Sequence, residues 1–204
     1  TSCTVPPTYH VLYDIHLVGV ERPANAEERY GAVAITSSDT SRIGSFVFED
    51  ELVRIVWIFT SRNLSFDMTN KTSHSIKILW DEAAYAEADG KSHRVFHTGI
   101  RYFERDRSQL PTVVIRGGRV TESIVPTSYI DYVGIQSGRD TSWKERPFFL
   151  PVRGRSRSEL KILSEQHKGS RIHVLLPLEI EGTVNEYLFA FEVANILLKD
   201  TGST

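Results

Sequence analysis

Apolar side chains recur at every second position through most of this chain, in short runs separated by turn residues. Tyr9, Val11, Tyr13, Ile15 and Leu17 alternate with His10, Leu12, Asp14, His16 and Val18. Successive side chains of a strand point to opposite faces, so this period gives a strand with one strongly apolar face. Leu64, Phe66 and Met68 repeat the pattern against Ser65, Asp67 and Thr69. Leu52–Thr60 carries Val53, Ile55, Trp57 and Phe59 on one face and Val56 and Ile58 on the other, as a central strand does. Further strands are expected at Ser45–Glu49, Ser75–Trp80, Ser92–Tyr102, Pro111–Ile115 and Arg119–Val125, through Ile172, Val174 and Leu176, and at Tyr187–Leu198.

Turn chemistry supplies the joints. Asn70–Ser73 and Glu181-Gly182-Thr183 read as turns, and Asp89-Gly90 as a hairpin turn. Gly117-Gly118 is expected to close a hairpin between its flanking runs. Glu21–Thr40 and Gly134–Pro147 are polar and read as loops. One segment leaves the pattern. Ser156 and Glu159 have capping-box spacing, Leu160, Ile162 and Leu163 follow, and Gly169 stands beyond, which predicts a helix over Arg157–Lys168.

About nine or ten short strands, one helix near the C-terminus and no β-α-β alternation predict an all-β fold, an antiparallel β-sandwich. Its 204 residues suffice for one domain with a full core. The division expected is a tether over 1–8, one sandwich domain over 9–199 and a polar tail over 200–204. A net charge of −2 gives no global attraction to nucleic acid. A single cysteine excludes an intramolecular disulfide and a Cys-cluster metal site.

Few residues carry a chemical signal. His93 and His97 would lie ~13 Å apart on a strand, too far to share an ion, so no metal site and no cofactor is expected. Asp81, Glu82, Glu87 and Asp89 lack the spacing of a Ca²⁺ loop and read as a solvated acidic hairpin tip. No Gly-x-Ser-x-Gly elbow and no P-loop occur, so no catalytic residue is assigned. Trp57 reads as core. Trp143, in the polar run Ser142-Trp143-Lys144, is the best candidate for an exposed ring able to stack on a sugar or anchor a protein contact. Arg153, Arg155 and Arg157 open a basic stretch that can face phosphate groups, anionic lipid heads or an acidic partner. No aromatic is interleaved there, which argues against a nucleic-acid stacking platform.

Two resemblances place the chain. Thr1-Ser2-Cys3, followed by Thr4-Val5-Pro6-Pro7, resembles the junction of a bacterial lipoprotein signal, where the cysteine becomes the lipidated first residue. The resemblance makes Cys3 the lipidation candidate. The stretch from Leu64 through Asn70, Ile76, Ile78, Trp80 and Asp81 to Ala83 resembles uncharacterised bacterial envelope lipoproteins. So do Asp89–Gly99, Leu175–Gly182 and Tyr187–Phe191. The likeness covers roughly 46–193 and rests on strand ends, turns and core positions. It implies an Ig-like sandwich in the bacterial cell envelope, periplasmic or extracellular, with no known catalysis. The expected role is a non-enzymatic structural or interaction subunit, bound to another envelope protein or assembly and attached to a membrane through a lipid. The alternatives are a carbohydrate-binding module using Trp143 and an enzyme whose site is assembled only in the fold.

Overall fold

The computed structural model describes residues 8–24, 26–37, 45–133 and 142–200. The alternating N-terminal run forms β1 (Tyr9–Glu21). A short helix, α1 (Ala26–Tyr30), and β2 (Ala34–Ser37) then replace part of the loop expected over Glu21–Thr40. Polarity there misleads because, among the described residues of that run, Ala26 and Tyr30, four apart on α1, are the buried ones. The chain continues through β3 (Ser45–Glu49), β4 (Val53–Phe59), β5 (Leu64–Asn70), β6 (Ile76–Ile78), β7 (Ala84–Ala86) and β8 (Ser92–His97). It goes on through β9 (Thr112–Val114), β10 (Arg119–Pro126), β11 (Ile130–Val133), β12 (Ser142–Glu145) and β13 (Arg153–Gly154). After α2 (Arg157–Glu165), β14 (Arg171–Ile180) and β15 (Thr183–Asp200) close the fold.

The protein is all-β in character, and every strand pairing among the described residues is antiparallel. One path of hydrogen-bonded neighbours runs β13-β1-β15-β14-β7-β8-β10-β5-β4-β3-β2, with β6 on β14 and β9 on β6. The sheet curls on itself. Trp57 of β4 lies 4.9 Å from Phe189 and 5.5 Å from Phe191 of β15, strands far apart along that path. Phe48 of β3 meets Phe189 edge-on at 5.4 Å. The alternating residues therefore share one buried cluster, which contains Leu64, Phe66, Met68, Ile76 and Ile78 as the alternation requires.

Three expectations change. Gly117-Gly118 turns the chain but closes no hairpin: β9 pairs with β6, whereas β10 pairs with β5 and β8. Asn70 explains this. Its buried amide donates to the carbonyls of Val114 and Ile115, and its backbone N–H donates to that of Gly118. The turn is thus fastened to the end of β5 and carries the chain from one half of the curled sheet to the other. The expected loop Gly134–Pro147 contains β12, which pairs with β11 as a separate two-stranded ribbon; residues 134–141 lie outside the described residues. Helix α2 begins as predicted, with the Ser156 hydroxyl accepting from the Glu159 N–H at 3.3 Å, but ends at Glu165. Turns cover the next residues, and Gly169 takes the left-handed φ of +78°.

Candidate functional site

A cleft of about 600 Å³ opens beside β8, because the strand expected over Ser92–Tyr102 ends at His97 and an aromatic-rich loop follows it. The loop follows directly from His97. Gly99 adopts φ +90°, a region open to glycine, and the Ile100 N–H returns to the His97 carbonyl at 3.2 Å. Thr98 Oγ1 accepts from the Ser123 N–H of β10 at 2.9 Å, which ties the loop to the sheet. Tyr102 then closes the far side, its hydroxyl donating to Glu145 of β12 at 2.8 Å. That carboxylate holds the Tyr102 phenol above its ordinary pKa, so the hydroxyl remains a donor at neutral pH.

The walls are apolar and the rim is polar. Phe96, Ile100, Phe103, Val125 and Trp143 line the cleft together with Tyr102. Phe103 is 58% exposed, with the Arg101 guanidinium 5.9 Å over its ring. Asn63, His97, Ser123 and Glu145 offer hydrogen-bonding groups. The exposed Arg62, Arg101 and Lys144 border this cleft or the adjoining one, and no carboxylate pairs with them among the described residues. These cations stand at the mouth beside the carboxylates of Glu145 and, across the ribbon from Lys144, Asp131.

His97 is held by its surroundings. Its ring stacks on Trp80 at 4.3 Å, and Nδ1 lies 3.3 Å from the buried carboxylate of Glu122. Glu122 also accepts from Thr112 Oγ1, which in turn accepts from Trp80 Nε1 at 2.8 Å. A carboxylate beside Nδ1 requires a proton there, which leaves Nε2 as the free acceptor of the neutral ring.

A second constellation lies at the start of β8. His93 is buried, with Nε2 2.7 Å from Glu87 Oε1 and Nδ1 2.7 Å from the hydroxyl of Ser128. The carboxylate places the proton on Nε2, so Nδ1 accepts the hydroxyl proton of the exposed Ser128. Tyr85 and Tyr129 flank the ring, and burial raises both phenol pKa values. The two histidines are thus buried or half-buried hydrogen-bonded groups on the sheet. No group of three or more His, Cys, Asp or Glu able to hold a metal occurs among the described residues.

Trp143 is not the free ring of a polar loop. It stands on β12, half-buried, 4.8 Å from Tyr132 and 6.2 Å from Tyr102, with the Arg105 guanidinium 5.1 Å over it. The ribbon pairing turns one face of a polar stretch onto the aromatic loop, which composition does not reveal. Arg153, Arg155 and Arg157 are exposed as expected, but they sit away from the cleft, Arg153 on β13 beside β1. Cys3 lies outside the described residues. Of the acidic hairpin, Asp81 accepts from Ser108, from the Gln109 N–H and from Arg94, and the Ser108 hydrogen bond leads in lowering its pKa. It fastens the segment after the aromatic loop instead of standing free in solvent. Phe96, Tyr102 and Phe103 around Gly99 were the signal in the sequence for the cleft.

No protein-family model, no curated protein and no solved structure matches this chain.

Proposed function

We propose that this protein is a non-enzymatic binding module of the bacterial cell envelope, an Ig-like sandwich whose cleft takes a saccharide of another envelope component. The observation that carries the reading is the cleft's division of labour, with aromatic walls and a rim of side-chain donors and acceptors. A sugar ring offers an apolar CH face to the first and hydroxyl edges to the second. The unpaired cations at the mouth favour acidic sugars. The curled sheet, with its halves meeting through Trp57, Phe189 and Phe191, supports the sandwich. Attachment through a lipid on Cys3 belongs to the same proposal; no described helix is long and apolar enough to cross a membrane.

The experiment is calorimetric titration with oligogalacturonate and, for comparison, a neutral chito-oligosaccharide. Saturable binding is expected, tighter for the acidic ligand at low salt. Trp143→Ala should weaken it about tenfold, the equivalent of ~1.4 kcal/mol of lost ring contact. Absence of heat with both sugars, or an unchanged Trp143→Ala, counts against the reading.

The Ser128–His93–Glu87 relay favours a second reading, an enzyme with a serine nucleophile. A fluorophosphonate reagent separates the two. A nucleophile would be labelled at Ser128 far faster than at the exposed Ser156, and Glu87→Gln would slow it. Equal labelling of both serines removes the enzyme.

A further inference from the structure

One face of the curled sheet lies in the core, and the face that meets water normally reads polar. Across β7, β14, β15 and β1 it does not. Strand register sets Ala84, Leu175, Leu188 and Glu21 side by side in one row. Another row holds Ala86, His173, Ala190 and Gly19. Directly opposed residues of antiparallel strands project from one face. Here it is the outer face, because the row between these two, with Tyr85, Val174 and Phe189, belongs to the core cluster. Val184 and Glu186 precede Leu188 at alternate positions of β15 and so share its face. Val184 is 42% exposed.

A hollow of about 520 Å³ opens on this face, lined by Leu175, Val184 and Leu188 and by the exposed Glu21, Glu82 and Glu186. None of these three carboxylates has a cation partner among the described residues. Arg22 also lines the hollow, but its guanidinium is bound to Asp50 and to the Gly31 carbonyl. Neighbouring charges are matched in pairs, Lys77 with Glu179, Arg94 with Asp81 and Arg171 with Glu192. The hollow thus joins apolar side chains to uncompensated negative charge. A lysine or arginine side chain suits both, its stem lying on apolar surface while its head reaches a carboxylate. A bare metal ion makes no use of the apolar residues, and no group of three acids able to hold one occurs among the described residues. A second copy set face to face would bring carboxylates against carboxylates, which repel.

We infer that the outer face of β14, β15 and β1 docks a basic amphipathic segment of another polypeptide. Leu175, Val184 and Leu188 take its apolar side chains and the stems of its lysines or arginines. Glu21, Glu82 and Glu186 take the charged heads. The inference does not rest on the saccharide reading, since this hollow shares no lining residue with the cleft beside β8.

The test is fluorescence anisotropy of a labelled peptide of repeated Leu-Lys-Lys-Leu units, titrated with the full chain. Saturable binding is expected, weakening as salt is added. Peptides with serine in place of leucine, or glutamate in place of lysine, should bind at least about tenfold more weakly. Glu82→Gln with Glu186→Gln should lose about tenfold, the factor that two exposed ion pairs near the top of their range supply. Glu159→Gln with Glu165→Gln, the same change of charge on α2, should bind like the wild type. Val184→Ser should weaken binding severalfold at constant charge. All five side chains are exposed, so the variants should keep the wild-type circular dichroism. No saturable binding, equal binding of the serine peptide, equal binding by the two double variants, or a dimer in analytical ultracentrifugation that Val184→Ser dissolves would overturn the inference.

Discussion

Asp50→Ala should destabilise the fold by about 3–5 kcal/mol, because it leaves a buried guanidinium without its counter-charge. Asp50 is 3% exposed and closes the turn between β3 and β4. Its Oδ1 accepts from the N–H groups of Leu52 and Val53, both at 2.9 Å. Its Oδ2 accepts from Arg22 Nη1 at 3.2 Å and from the Tyr187 hydroxyl at 3.0 Å. Burial keeps the Tyr187 phenol protonated and so able to donate. Arg22 reaches on to the Gly31 carbonyl, while Tyr30 bonds to Asn185. These contacts fasten the segment carrying α1 to the body of the sheet. Urea unfolding measures the effect, and Asp50→Asn, which keeps the shape and some hydrogen bonds, should lose less. A loss below about 1 kcal/mol for alanine would show that water replaces the carboxylate and that the network does not anchor α1.

The second large effect is expected at Trp57, where the halves of the curled sheet meet. Trp57→Ala should cost about 3–5 kcal/mol, the range for a large aromatic removed from a core. The ring has no solvent exposure and touches Phe66, Phe189 and Phe191. Its indole N–H has no hydrogen-bond partner among the described residues. Trp57→Phe should therefore cost much less than alanine, because the smaller ring keeps most contacts and removes an unsatisfied donor. Thermal and urea denaturation of the pair check this. Equal losses for Phe and Ala would mean that the Trp57 indole is hydrogen-bonded through water.

The strands facing the core were legible because burial is one-sided. Leu64, Phe66 and Met68 can be placed from period two alone, and Ser156 from its local capping chemistry. Partner choice was not legible. The Gly117-Gly118 turn looks like a hairpin from its neighbours, and only the amide of Asn70, some forty-five residues earlier, shows where it is tied. β12 was missed because Trp143 is its one apolar residue, and the partner that turns Trp143 and Glu145 toward the loop, β11, is not written in its local pattern. The candidate cleft gathers residues near Asn63, from 96–103, from 123–125 and from 143–145. Trp143 was a visible member, but its neighbours are joined by long-range pairing that no local pattern records. Asp50, likewise, reads as an ordinary turn residue until Arg22 and Tyr187 are placed beside it.

We propose that the cleft beside β8 binds an acidic saccharide. Titration of ¹⁵N-labelled protein with oligogalacturonate, followed by amide chemical shifts, tests it most directly. Saturable shifts are expected at 96–103, 123–125 and 143–145, together with a shift of the Trp143 indole N–H and none at 153–161. No shifts at high ligand concentration, or shifts centred on 153–161 instead of the cleft, would contradict it.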